Sequence, residues 1–285
     1  MAAVILSAAL HAIWNYLLRR AGGSNAVVAL SKVTEAVLLL PLALVAFRSS
    51  GALPWSQFGP AIVVAAMLAL ANYAALTAAY RRADLSLVYP VARGGVFLFL
   101  PLLGFIVFDE RLDALGWSAL ALIVGGILLL PLPAFDRSSL GAMGHLRERF
   151  MVFALMAAAA TAGYTVWDKY AVGRLDLILY FYGYTLLLAI WFSGVLARTP
   201  RSEIREQVRK HPVAIAMIGL LNAGSYMLVL MALRTEMATQ VLAVRQLSIP
   251  IGVLLGWQLL QEQLTAPRVV GSALVTTGCI LAAAI

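Results

Sequence analysis

Charge is scarce in this chain, and cysteine and histidine are scarcer still. Only 12% of the 285 residues are Asp, Glu, Lys or Arg against 62% hydrophobic, and the mean hydropathy is +0.91. Soluble domains are roughly half apolar and a quarter charged, so a water-exposed globule is excluded and a lipid bilayer is the expected solvent. One cysteine, Cys279 in the last apolar run, leaves no intrachain disulfide and no cysteine metal cluster. The histidines, His11, His145 and His211, lie too far apart in sequence to suggest a metal site. His-Glu-x-x-His, Gly-x-Ser-x-Gly, Gly-x-x-x-x-Gly-Lys-Ser/Thr and Cys-x-x-Cys are all missing. These absences argue against an enzyme, a metal and a cofactor; a membrane-embedded transferase would need clustered carboxylates that the sequence lacks. Without an ATP-binding element, any concentrative work must come from an ion or substrate gradient. The net charge of +8 does not point to nucleic acid, because the basic residues sit in short clusters between apolar runs, where they orient a chain in a membrane.

What is present is apolar sequence in membrane-length pieces. Crossing about 30 Å of hydrocarbon takes about 20 helical residues, and ten runs qualify: 2–18, 26–47, 60–80, 86–108, 114–131, 150–169, 176–197, 212–233, 239–260 and 267–284. They are spans 1 to 10. The expected fold is therefore all-α and integral to the membrane, with residues 1–133 as a first unit, 134–149 as a charged linker and 150–285 as a second unit. Small residues near the end of span 1 resemble a signal-peptide cleavage site, but the run lacks a basic start and its Trp14-Asn15 is answered by Trp167-Asp168 in mid-chain, so it reads as a span.

The two units repeat each other. Arg93 answers Arg245 and Glu110 answers Glu262 at one offset of 152 residues, 245 less 93 and 262 less 110. Gly104 falls on Gly256 and Gly126 on Gly278 in the same phase, and Tyr73 on Tyr226 one residue out of it. The loops after spans 1, 3, 5, 7 and 9 hold Arg19, Arg20, Arg81, Arg82, Arg137, Arg147, Arg149, Arg198, Arg201, Arg205, Arg209, Lys210 and Arg268. The others hold only Arg48, Arg111, Lys169, Arg174 and Arg234. Basic loops stay cytoplasmic, so both termini are expected outside. Five spans per repeat is an odd number, so the halves must be antiparallel: a 5 + 5 inverted repeat.

Leu10-His11-Ala12-Ile13-Trp14-Asn15 near the end of span 1, the basic turn between spans 3 and 4, and Leu102-Leu103-Gly104-Phe105-Ile106-Val107-Phe108-Asp109-Glu110-Arg111-Leu112 leading to Gly116 and Gly125-Gly126 resemble the EamA domain of the drug/metabolite transporter superfamily. Gly256-Trp257-Gln258-Leu259-Leu260-Gln261-Glu262-Gln263-Leu264, followed by Gly271 and Gly278, repeats the pattern. The resemblance covers the whole chain. It implies a central cavity moving small metabolites, amino acids or nucleotide sugars across a membrane by alternating access, with the bacterial amino-acid and metabolite exporters nearer in character. An exporter of aromatic or large apolar amino acids in the bacterial inner membrane is the leading expectation, and an exchanger of phosphorylated or nucleotide-linked solutes the alternative. The partners are then the bilayer and a small-molecule substrate, with the chain a monomer or weak homodimer.

Ionisable groups in hydrocarbon cost several kcal/mol unless they face a cavity or a partner. Arg93 and Arg245 lie well inside spans 4 and 9, beside Pro90 and Pro250, and two readings stand: they grip an anionic substrate group from either side, or they snorkel and pair with neighbouring helices. Lys32 and Glu35 share a face of span 2; Glu35 and His11 are the candidates for proton coupling, against mutual neutralisation for the pair and simple packing for the histidine. The candidate pocket is polar and aromatic: His11, Trp14, Asn15, Asn72, Tyr73, Tyr80, Tyr164, Trp167, Asp168, Asn222, Ser225 and Tyr226, with Trp14, Trp167 and Tyr80 equally readable as an interfacial belt. Spans 1 and 6, and 3 and 8, are expected to converge, with spans 3, 4, 8 and 9 as the rocking element. Spans 5 and 10, Gly- and Ala-rich, read as packing or dimer contacts. Glu110 and Glu262 each precede a new span, where a carboxylate can cap the following helix. Thiol labelling of tails added to each terminus tests the topology: both should label from outside the cell, and labelling from the cytoplasm would reverse the assignment.

Overall fold

The computed structural model describes residues 1–50, 54–83, 85–136 and 149–285, so most of the expected linker lies outside the described residues. Thirteen helices are described: α1 (Ala2–Arg20), α2 (Asn25–Ser49), α3 (Trp55–Tyr80), α4 (Leu85–Gly94), α5 (Val96–Phe108), α6 (Ala114–Leu129), α7 (Arg149–Val172), α8 (Leu177–Arg198), α9 (Arg201–Lys210), α10 (Pro212–Leu233), α11 (Ala238–Arg245), α12 (Ser248–Leu260) and α13 (Ala266–Ala283). Among the described residues nine apolar segments are long enough to cross a membrane, Val88–Phe108 and Ala238–Leu260 among them, and Ala114–Leu129 is a shorter apolar helix. Spans 4 and 9 are thus each built from two helices, α4 with α5 and α11 with α12. The short α9 is polar, has no buried residue, and joins spans 7 and 8.

Local chemistry sets the ends. Ser24, Asp113 and Asp176 accept from the backbone N–H groups of Val27, Gly116 and Leu179 and so start α2, α6 and α8. Span 9 breaks because Pro250 has no N–H for the Gln246 carbonyl, which accepts from Ile249 instead, while the Gln246 and Leu247 amides turn back to Ala243 and Val244. Span 4 breaks at the equivalent place, where Gly95 would bring an added Cβ to 2.4 Å from the Val91 carbonyl oxygen and 3.2 Å from Ala158 of α7. Both α5 and α12 end on a left-handed residue that is not glycine, Asp109 at φ 53° and Gln261 at φ 57°. The next amide, of Glu110 or Glu262, returns to the carbonyl of Gly104 or Gly256. The repeat is legible down to these turns.

Packing follows a pseudo-two-fold axis, with one correction to the expected pairing. Span 1 lies against span 8 and span 3 against span 6, rather than 1 against 6 and 3 against 8. The axis makes 1 equivalent to 6 and 3 to 8, so the contact 1–8 has 6–3 as its image. Span 1 also packs on span 9 and span 6 on span 4. Each repeat has therefore given its first helix to the other, forming one bundle of spans 3, 4 and 6 and another of spans 1, 8 and 9. The expected rocking set of 3, 4, 8 and 9 thereby divides between the bundles, each gaining a swapped helix. Spans 2 and 7, and spans 5 and 10, meet their own equivalents on the axis. Between α6 and α13 the approach is backbone to backbone: a Cβ on Gly126 would lie 2.6 Å from the Gly271 oxygen and 2.9 Å from the Val275 nitrogen. Gly126→Ala should force these helices apart and cost about 1–3 kcal/mol, read as a lower Tm in detergent; an unchanged Tm would mean the pair is loose.

Candidate functional site

Between the two bundles lies a cavity of about 330 Å³, in the range of small-molecule sites. Of the candidate residues it gathers His11, Trp14 and Asn15 from α1, Asn72, Tyr73 and Tyr80 from α3, Arg93 from α4, Tyr164 and Asp168 from α7, Asn222 and Tyr226 from α10, and Arg245 from α11. Trp167 is not among the lining residues: its indole N–H donates to the Ala61 carbonyl at 2.9 Å and its ring stacks on Tyr170. The repeat equivalence with Trp14 fails there because α7 turns that position toward α3. Ser225 is also elsewhere, hydrogen-bonded to Ser7 between α10 and α1. Glu35 is 1% exposed and sits behind the lining, its Oε2 accepting from Lys32 at 2.9 Å and from Asn222 at 2.8 Å.

The cavity is open at one end. Asn15, Tyr73 and Tyr80, toward the end of the bundle that carries the interrepeat linker, are exposed; Asp168, Phe181, Tyr184 and Arg245, toward the end that carries the termini, are buried. Asp168 forms the floor, accepting from Tyr180 at 2.5 Å on Oδ1 and from Tyr226 on Oδ2. A buried carboxylate held by two phenols is satisfied without a cation. Asn72 is anchored to α7 through the Ala157 carbonyl at 2.9 Å and the Thr161 hydroxyl at 2.8 Å. Lys32, Tyr89, Thr161, Phe181 and Tyr184 also line it, and of these Tyr89, Thr161 and Phe181 carry no signal in the sequence. Tyr180, Tyr182 and Tyr184 alternate around span 7, so that only one or two can face inward, and Tyr184 lines the cavity.

Above the floor, two cations meet one histidine. Arg93 Nη2 lies 3.2 Å from His11 Nε2, and Arg245 Nη2 lies 3.2 Å from His11 Nδ1, which Trp14 Nε1 also approaches at 3.3 Å. A guanidinium only donates, and a neutral imidazole carries a proton on one nitrogen and a lone pair on the other. Whichever tautomer His11 adopts, one guanidinium N–H faces a ring N–H. Arg245 is 7% exposed and its Nε has no hydrogen-bond partner among the described residues. Among those residues neither arginine forms an ion pair. Each guanidinium instead lies near an aromatic ring, Arg93 at 5.6 Å from Tyr89 and Arg245 at 5.4 Å from Tyr226. Of the two readings open for the arginines, pairing with acids on neighbouring helices is absent here. What the arrangement offers is donors in excess of acceptors, suited to an anionic group.

The expected capping roles of the glutamates need revision. Asp113, not Glu110, caps α6. Both carboxylate oxygens of Glu110 instead accept from the Ala238 amide at 3.0 Å, at the start of α11 in the other repeat, and Oε1 pairs with Lys169 at 2.7 Å. Gly104 makes room for this: an added Cβ would lie 2.8 Å from Glu110 Oε2.

No curated protein matches the sequence. Among solved structures, one protein whose crystal structure is known superposes with a TM-score of 0.74 at 14% identity, covering 99% of this chain and 96% of its own, a likeness of fold alone. The EamA-like transporter family matches residues 149–284, the whole second repeat. This match assigns the second repeat, in a chain of membrane-length apolar helices, to the EamA-like transporter family, consistent with the drug/metabolite transporter superfamily.

Proposed function

We propose that the protein moves small amphipathic solutes bearing a carboxylate, aromatic or large apolar amino acids foremost, by alternating access from a site between the two bundles. The observation that carries this reading is the pair Arg93 and Arg245 converging on His11 with no acidic partner among the described residues. A carboxylate entering between them supplies the missing acceptors for both forks. The aromatic lining, Tyr73, Tyr164, Phe181, Tyr184 and Tyr226, then receives an apolar side chain, and Asn72 and Asn222 bound the space. Phosphorylated solutes usually demand more cations than these two and Lys32.

The same reading places the protein in a bacterial inner membrane with its termini periplasmic and its exposed basic residues, Arg19, Arg20, Arg81, Arg82 and those of α9, cytoplasmic. The cavity then opens to the cytoplasm, the loading side of an exporter. Glu35 is neutralised by Lys32 where it stands, so of the two proton-coupling candidates His11, between the arginines, is the one in contact with the substrate site.

Purified protein in liposomes, given a panel of radiolabelled amino acids and sugar phosphates with and without a pH gradient, tests this. Arg93→Met and Arg245→Met should each cut transport of a carboxylate solute by roughly ten- to a hundredfold. Tyr73→Ala should weaken a large apolar amino acid more than a small one, because aromatic contact contributes about 1 kcal/mol beyond area. Preference for sugar phosphates, or indifference to both arginine changes, would overturn the assignment.

A further inference from the structure

The two ends of the molecule carry the same glutamate in different states. At the end bearing the termini, Glu110 of the 3–4–6 bundle closes on the N-terminus of α11 in the 1–8–9 bundle, and Lys169 beside it donates to the Glu236 carbonyl at 2.6 Å. Arg234, at the end of α10, bridges back through Nε to the Val172 carbonyl at 2.9 Å and Nη2 to Leu175 at 3.2 Å. These contacts tie bundle to bundle and are part-buried, with the Glu110 side chain 7% and Lys169 17% exposed.

At the opposite end the repeat supplies the counterpart. Glu262 corresponds to Glu110; in the phase that sets Trp14 on Trp167 and Tyr73 on Tyr226, Lys169 falls on Tyr16 and Arg234 on Arg81. Glu262 pairs with Arg19 at 2.8 Å inside its own bundle, and the side chains are 24% and 67% exposed. Arg82 donates to Ala78 of its own helix and lies over the Phe153 ring of its own bundle. So the carboxylate that bridges the bundles at the closed end is turned inward to one bundle at the open end, and the basic side chains Arg19 and Arg82 at that end likewise keep to their own bundles.

We infer that Glu110 and Glu262 are positioning residues, each a carboxylate latch that holds its end shut by capping the first half-helix of the other repeat's broken span. The geometry extends to the substrate site. α11 is eight residues long, with its first amide on Glu110 and its last residue Arg245 in the cavity. Capping the half-helix therefore sets where Arg245 stands. Glu262 would do the same for α4, whose far end carries Arg93, once the cavity closes at the linker end and opens at the other. The carboxylate meets the positive end of the half-helix dipole, in a site shielded from water only when the end is shut. The inference rests on the alternating-access reading but not on which solute is carried.

Thiol accessibility in lipid nanodiscs tests it without any substrate, in a Cys279→Ser background with one reporter cysteine at a time. Val172→Cys reports the end now closed and Leu76→Cys the mouth now open. Glu110→Gln should raise labelling at 172 and lower it at 76, changing the ratio of the two rates roughly tenfold. Gly104→Ala keeps the charge but places a Cβ against the carboxylate, so it should act in the same direction. Gly256→Ala, whose Cβ would lie 3.1 Å from the Glu262 carboxyl carbon, should move the ratio the opposite way. If Glu110→Gln and Gly104→Ala lower Tm while leaving both rates unchanged, or raise both together, Glu110 is only a helix cap and the latch is refuted. Loss of the arginine-dependent transport with this reciprocity intact would instead refute the carboxylate reading alone.

Discussion

Hydrocarbon offers no hydrogen bonds, so every backbone or side-chain polar group within the membrane has to find its partner in the protein. The two broken spans are where that constraint bears hardest. Each break exposes carbonyls and amides near mid-membrane, and each is tolerable because it borders the polar cavity rather than lipid. The Gln246 carbonyl lost to Pro250 is taken up by Ile249, and the free amide at the other end of the same half-helix, that of Ala238, is taken up by Glu110. Breaking the spans frees short helical segments that end in arginine, and satisfying those segments ties the two repeats together. Site and closure meet on the same half-helix, with Arg245 at one end and the Ala238 amide at the other.

Much of this was legible in the sequence. The offset that pairs Arg93 with Arg245 and Glu110 with Glu262 carries into matching breaks, matching left-handed turns at Asp109 and Gln261, and matching packing around the axis. Twelve of the fourteen residues expected at the substrate site line one cavity, because a buried polar group in so apolar a chain has few other places to go. Trp167 and Ser225 were the exceptions, and for Trp167 the reason is local. An indole N–H can be satisfied by a single carbonyl on a neighbouring helix, Ala61 here, so a tryptophan is a weaker pointer to a cavity than an amide, which has four hydrogen bonds to place.

What periodicity could not reach was contact between distant segments. A glutamate before a helix reads as a cap for that helix, since sequence reasoning sees only neighbours in the chain. Glu110 caps a helix 128 residues away, and Asp113, three positions later, does the local work. The exchange of first helices between repeats is hidden for the same reason: spans 1 and 6 look like ordinary members of their own halves, and only their contacts with spans 8 and 9, and 3 and 4, show otherwise.

The symmetry of the repeat sharpens the meaning of its violations. Where two halves share a sequence pattern, a difference between equivalent positions is either written in the residues or adopted in one conformation. Lys32 and Glu35 are of the first kind, because the matching stretch of span 7, Tyr180 to Leu188, contains no acid, so whatever that pair does is done once. The glutamates are of the second kind. Glu110 and Glu262 follow the same glycine, the same left-handed turn and the same amide return, yet one side chain is enclosed between the bundles and the other is half-buried beside an exposed arginine of its own bundle. Identical local geometry with different partners is the mark of a two-state element. It also explains why the glycines at 104 and 256 are both needed, although only one of the carboxylates above them spans the gap at a time: each must fold over its own helix end to reach the other repeat when its turn comes.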